Sequence, residues 1–330
     1  KDHEGFTVEV TEVKSNDIET KITNAVQAGD LSTLPDIFLM QDNSFQKYVT
    51  FYPDVFTSLA DSGIDFTQFS AAKVAYSTVD GTNYGVPFDN GAVVNCLRTD
   101  LLEQAGYTVD DFTDITWSDY MEKAKVVLEK TGLPMLTAQA GSPDIIMEML
   151  QSCGESLFNE DGSVNIVDNK ALIMASIQAA EDQSGKWAIT NMPKLDDVEN
   201  ATNYSNNGGS SWAISSNTSH KDLAVDFLNA TFAGSTELYD DVISKGALAT
   251  WAPAGESDAY NVPVDFYGGD TVYAKIVDFA TKTPANTTGA FYYDARDAVG
   301  VALSNITQTG ADVASELQTA QETLDFNMGM

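Results

Sequence analysis

The chain changes its hydrophobic period twice before residue 41, and this change constrains the fold more than any other feature. Residues 6–13 alternate, with Phe6, Val8, Val10 and Val13 set among Thr, Glu and Lys. That is the period-2 pattern of a strand. Behind a cap signal at Ser15-Asn16-Asp17, Ile18, Ile22, Ala25 and Val26 recur at helical spacing as far as Gly29. Pro35-Asp36-Ile37-Phe38-Leu39-Met40 is then a short apolar run of the kind that parallel sheets bury on both faces. Strand, helix and buried strand predict a βαβ unit with a right-handed crossover. The polar stretch 41–44 predicts a loop beyond the carboxyl end of a strand, where open α/β sheets hold their ligands. Asp42 and Asn43 on it are candidate contacts.

Alternation of strand and helix continues along the chain. Residues 73–78 and 83–87 predict a hairpin around Asp80-Gly81-Thr82, and residues 92–97 a strand. Trp117-Ser118-Asp119-Tyr120 opens a helix with Met121, Ala124, Val127 and Leu128 on one face. Residues 134–137 predict a short strand, 145–150 a buried helix, and 157–167 a hairpin turned by Asn159-Glu160-Asp161-Gly162. A strand at 186–192 ends before Pro193. The Gly-rich stretch 206–211 leads into a strand at 211–214, and Ser219 caps a helix carrying Leu223, Ala224, Phe227 and Leu228. Residues 290–326 read as mostly helical. The class is α/β, and 330 residues suit about two domains.

Composition excludes several functions. Forty-nine acidic against 17 basic residues give a formal charge of −32, which repels nucleic-acid phosphates and anionic lipid heads. No nucleic-acid partner is expected. Cys96 and Cys153, with only His3 and His220 to help, cannot assemble a zinc site. Two unpaired, buried thiols are preferred over one disulfide. No apolar run approaches the roughly 18 residues of a membrane span. Nucleotide loops, zinc-protease motifs and the nucleophile elbow are all missing, so neither a cofactor nor a metal is expected. Paired carboxylates carry no information among so many acids.

Five stretches, in order, resemble the extracellular solute-binding proteins of ABC sugar importers. They are Ala28-Gly29 before Pro35-Asp36-Ile37; Tyr84-Gly85-Val86-Pro87-Phe88-Asp89-Asn90-Gly91; Asp100-Leu101-Leu102 with Ala105-Gly106 and Thr116-Trp117; Gly208-Gly209-Ser210-Ser211-Trp212-Ala213-Ile214 with the helix at 221–228; and Ala290-Phe291-Tyr292-Tyr293-Asp294-Ala295-Arg296. The resemblance implies a two-lobed, type II periplasmic-binding-protein-like clamp, with several chain crossings between lobes. Residues 1–90 plus 210–280 would form the N-terminal lobe, and 91–209 plus 281–330 the C-terminal lobe, with a ligand cleft between them. Against the family's pattern, segments are expected to be missing before Lys1 and near Leu172 and Ile173.

The implied function is an extracytoplasmic oligosaccharide receptor that hands sugar to ABC permease subunits. It would be non-enzymatic and monomeric, either lipid-anchored at the outer face of a Gram-positive membrane or periplasmic. The alternatives are a carbohydrate-active enzyme, such as a glycosidase or lyase, and a receptor for a non-sugar solute. Sugar rings offer an apolar face to aromatic side chains and a rim of hydroxyls to carboxylates and amides. By the resemblance Tyr292 stacks on a sugar, and Arg296 and Asp294 lie beside it. Asp89 and Asn90 follow Pro87 at the first lobe crossing, and Trp212 lies at the second. Trp251 stands on a loop, and Ser142 and Asp144 precede a second-lobe helix. Trp117 reads as a packing residue at a helix start.

Overall fold

In the computed structural model, residues 5–136, 142–167 and 187–329 are described. The first segment carries α1 (Ser15–Ala28), β1 (Ile37–Gln41), α2 (Asp42–Phe51), α3 (Ala71–Tyr76), β2 (Thr78–Val79), β3 (Thr82–Asn83) and β4 (Gly85–Pro87). There follow β5 (Asn95–Arg98), α4 (Thr99–Ala105), α5 (Trp117–Thr131), α6 (Asp144–Ser152) and β6 (Trp187–Thr190). Next come β7 (Ser210–Ile214), α7 (Lys221–Ala230), α8 (Thr236–Val242) and α9 (Ala252–Gly255), and finally α10 (Val272–Lys282), α11 (Tyr292–Thr309) and α12 (Val313–Met328). The chain divides into two units. Lys1–Asn90 joins Gly208–Glu256, and Gly91–Asn207 joins Ser257–Met330, so the chain passes between units at three points. Residues 257–280, expected with the first lobe, group with the second unit.

The first unit is built on a three-stranded sheet of order β1-β7-β4. Both outer strands run antiparallel to β7. Side chains of a strand point alternately to opposite faces, and β7 shows it. Ala213 joins Ile18, Ile22, Phe38, Met40 and Phe45 on one side. Ile214 and Trp212 face Leu59, Phe69, Val86, Ala224 and Leu228 on the other. The apolar run at 37–40 is buried on one face, through Phe38 and Met40, and part-buried on the other, through Ile37 and Leu39, and its hydrogen-bonding neighbour is antiparallel, not parallel.

Three other expectations are corrected here. Residues 6–13 form no strand and pair with nothing described; Val10 is 85 % exposed. A strand exists only through a partner's hydrogen bonds, and alternation alone does not supply one. The βαβ unit is accordingly absent. Residues 73–76 are the end of helix α3, and the hairpin is confined to β2 and β3. Pro134 to Leu136 carry no strand. The apparent break at Leu172–Ile173 lies outside the described residues.

The second unit pairs β5 with β6 antiparallel and packs α5, α6, α11 and α12 around one core. Phe112, Tyr120, Ile146, Met149, Val299 and Leu324 are its centre. Trp117 belongs to this core at 8 % exposure, as a helix-start packing residue should. The turn expected at 159–162 closes on the Phe158–Val164 bridge. Cys153 is buried, but Cys96 is exposed, contrary to expectation; both are free.

Candidate functional site

In the first unit the predicted residues gather where the chain leaves it. Gln41-Asp42-Asn43-Ser44 is not a loop: Asp42 opens α2 and Asn43 lies in its first turn. The short polar side chains that suggest a loop also suit a helix start, where a carboxylate meets the positive end of the helix dipole. Asp42 is 1 % exposed. It is ion-paired to Lys73, itself buried, and accepts a hydrogen bond from Ser211 Oγ at 2.8 Å. Burial raises the Asp42 pKa against the pull of Lys73 and Ser211. Both carboxylate oxygens are thus engaged inside the unit, and Asp42 acts there as an internal anchor.

Asp89 Oδ1 accepts from the Ser210 N–H at 2.7 Å, and the Phe88 N–H donates to Ser210 O at 2.9 Å. Asn90 Nδ2 donates to Ala249 O at 2.6 Å. The two chain passages at 90–91 and 207–208 are tied together within this unit. They are equally tied within the other, by Asn207 N–H to Gly91 O at 2.7 Å and Val93 N–H to Ser205 O at 2.9 Å. Trp212 is part-buried, its ring 5.7 Å from Phe88 and 5.1 Å from Phe232, and its buried indole N–H has no acceptor among the described residues. Trp251 packs on the same apolar cluster.

Gly209 seals the Lys73–Asp42 pair. Its φ is 101°, a region closed to ordinary side chains. A Cβ here would also collide with Lys73 Nζ and lie 2.8 Å from Asp42 Oδ2 and 3.0 Å from Asp89 O. Gly209→Ala is expected to cost about 1–3 kcal/mol from backbone strain alone. Thermal unfolding should show a clear fall in Tm; alanine at exposed Gly208 next door, where φ is also positive at 93° but a Cβ meets nothing within 4 Å, carries the strain without the collision and should cost less.

In the second unit the structure brings together two short stretches that are far apart in sequence, 142–144 and 292–296. Tyr292 begins α11, with its ring 5.2 Å from Tyr293 and nearly perpendicular to it. One turn on, Arg296 Nη2 donates to Asp144 Oδ1 at 2.6 Å, and Ser142 Oγ donates to Asp144 Oδ2 at 2.7 Å. Burial alone would raise the Asp144 pKa. The Arg296 and Ser142 hydrogen bonds outweigh it and hold the carboxyl below its ordinary value. Burial, with Tyr293 nearby, pushes the Tyr292 phenol up to about 12, so it stays a neutral hydrogen-bonding group at working pH. Asp294 stands in the first turn of α11, partly exposed.

The start of α11 is held in place from below. Gly289 lies against the Phe158 ring so closely that a Cβ would fall 2.8 Å from it. Ser156 and Gln151 donate to the backbone carbonyls of Thr287 and Pro284. Sequence reasoning missed three participants: Lys73, Tyr293 and Glu148. Glu148 sits one turn beyond Asp144 on α6 and accepts from Asn207 Nδ2 at 3.0 Å. Burial raises its pKa, Asp144 adds to this, and the Asn207 bond opposes it. Among the described residues no group of His, Cys, Asp and Glu is arranged to hold a metal ion.

The model of the family "Bacterial extracellular solute-binding protein" matches residues 1–237, and the chain belongs to that family. A lactose-binding protein of Rhizobium radiobacter is 35 % identical, across 88 % of this chain and 78 % of that one. The fold is that of the type II periplasmic binding proteins. The ABC transporter-associated binding protein of B. animalis subsp. lactis Bl-04, solved with β-1,6-galactobiose, superposes at a TM-score of 0.71 with 17 % identity. It covers 94 % of this chain, and 88 % of that chain is covered. The sugar-binding protein of Xanthomonas citri gives 0.76 with 15 % identity, over 97 % and 89 % of the two chains. Each of these relatives is named as a binding protein. The family works outside the cytoplasm, and no helix of the described residues is long and apolar enough to cross a membrane.

Proposed function

We propose that this protein is an extracytoplasmic carbohydrate receptor that delivers an oligosaccharide to an ABC permease, working as a monomer and without catalysis. The observation that carries the reading is the start of α11. There two tyrosine rings stand beside an Arg296–Asp144–Ser142 hydrogen-bond chain. Aromatic faces cover the apolar face of a sugar ring, and a fixed guanidinium and carboxylate serve its hydroxyls. Tyr292, Arg296, Asp144, Ser142 and Asp294 are the proposed contacts of the second unit. Asp89, Asn90, Asn43, Trp212 and Trp251 are those of the first. The lactose-binding relative makes a galactoside the first ligand to try.

The test is calorimetric titration with lactose, β-1,6-galactobiose, arabino-oligosaccharides and maltose, with each mixture then chromatographed. Saturable binding with the sugar recovered unchanged is the expected result. Appearance of a product would favour the carbohydrate-active enzyme instead. Silence with every sugar, in heat and in thermal stabilisation, would overturn the reading.

A further inference from the structure

The guanidinium of Arg296 stands beside the proposed stacking ring of Tyr292. An arginine fork is the side chain best shaped to grip a carboxylate in two parallel hydrogen bonds. Here the protein's own acids already occupy it. Nη2 is bound to Asp144 at 2.6 Å, and Nη1 lies 3.5 Å from Asp297 Oδ1. Asp144 is itself pinned, because its second oxygen accepts from Ser142 Oγ. Glu148 follows one turn along α6, and Asp294 and Asp297 flank Arg296 on α11. Two of these carboxylates, Asp144 and Asp297, lie against the one cation.

We infer that Asp144 is the specificity-determining residue of this face: as the built-in counter-ion of Arg296, it admits uncharged sugar rings and turns away sugars that carry a carboxylate. This rests on the carbohydrate reading above. Discrimination often comes from repulsion built against the wrong ligand and not only from contacts to the right one. A uronate that took the Arg296 fork would have to displace Asp144 from its hydrogen bonds to Arg296 and Ser142, and would meet Asp297 as a like charge beside it. A neutral galactoside needs only hydroxyl contacts, which the Arg296–Asp144 pair can offer without being broken.

The experiment uses the intact protein. Lactose, or whichever neutral sugar of the panel binds best, is titrated beside its counterpart oxidised to a carboxylate at C6. The wild type is expected to bind the neutral sugar more than about tenfold tighter. Asp144→Asn keeps the shape and an acceptor for Ser142 but takes from Arg296 its hydrogen-bonded counter-ion, leaving only exposed Asp297 beside it. It should tighten uronate binding by roughly tenfold, an effect that fades at high salt. The added substitution Arg296→Gln should abolish that gain. Ser142→Ala, which unpins Asp144 and also removes one proposed hydroxyl contact, should shift the preference the same way by less, read as the ratio of the two affinities. Equal affinity of the wild type for both sugars, or an unchanged preference in folded Asp144→Asn, would overturn the inference while leaving the carbohydrate receptor standing. Binding of neither kind of sugar would overturn the carbohydrate reading itself.

Discussion

Lys73→Met is expected to lower the melting temperature of the first unit by about 10 °C. Removing one partner of a buried ion pair leaves the other charge without compensation, at about 3–5 kcal/mol. For a unit of this size each kcal/mol moves Tm by roughly 2–4 °C. Lys73 is 3 % exposed and Asp42 1 %, so water cannot take over from the missing ammonium. The double substitution Lys73→Met with Asp42→Asn should regain a good part of the loss, because the amide still bonds Ser211 and carries no charge. The effect should also depend on pH in a definite sense. Burial already raises the Asp42 pKa in the folded chain, and loss of Lys73 removes the main opposing influence. A carboxyl whose folded pKa exceeds its unfolded value destabilises above the unfolded value, about 3.9, and the penalty is relieved as pH falls through the folded one. Thermal melts at pH 7 and pH 4.5 should therefore show a smaller gap between Lys73→Met and wild type in acid. A gap that widens in acid would show that Asp42 is not the group left exposed to the penalty.

The second large effect is on affinity. Tyr292→Ala removes about 150 Å² of aromatic surface. With part of that area meeting ligand, at about 25 cal/mol per Å², the loss is about 2 kcal/mol or more, over tenfold in Kd. Tyr292→Phe keeps the ring and should cost much less. The ring also packs edge-on against Tyr293 at 5.2 Å, so Tm must be measured beside affinity. If folded Tyr292→Ala binds the panel sugar as wild type does, Tyr292 is a packing residue and the stacking role fails.

The helices were legible because their signal is local. Ile18, Ile22, Ala25 and Gly29 mark out α1 almost to its ends, and the long helical stretch after residue 290 resolves into α11 and α12. Strands were less so. Residues 6–13 alternate as well as any strand in the chain, yet a strand is half a property of its neighbour. The buried run at 37–40 was evident, but its partner lies more than 170 residues downstream in β7 and runs the other way. The site shows the same limit. Tyr292 and Arg296 follow from one contiguous motif. The link from Arg296 to Asp144 spans 152 residues, and no spacing rule announces it. Glu148 was one acid among 49, and Lys73 resembled any surface lysine until Asp42 was found beneath it.

The order β1-β7-β4 has a consequence for how the protein is made. Its outer strands never touch each other; the strand between them is synthesised last, 123 positions after β4 ends. At about 5–20 residues per second, β4 waits roughly 6–25 s and β1 roughly 8–34 s for β7 to leave the ribosome. All of the chain from Gly91 to Asn207, which belongs to the other unit, emerges in that interval. The nascent first unit therefore carries two unpaired strand edges through much of its synthesis. The chain stays open to threading or to a holding chaperone until Ile214 appears.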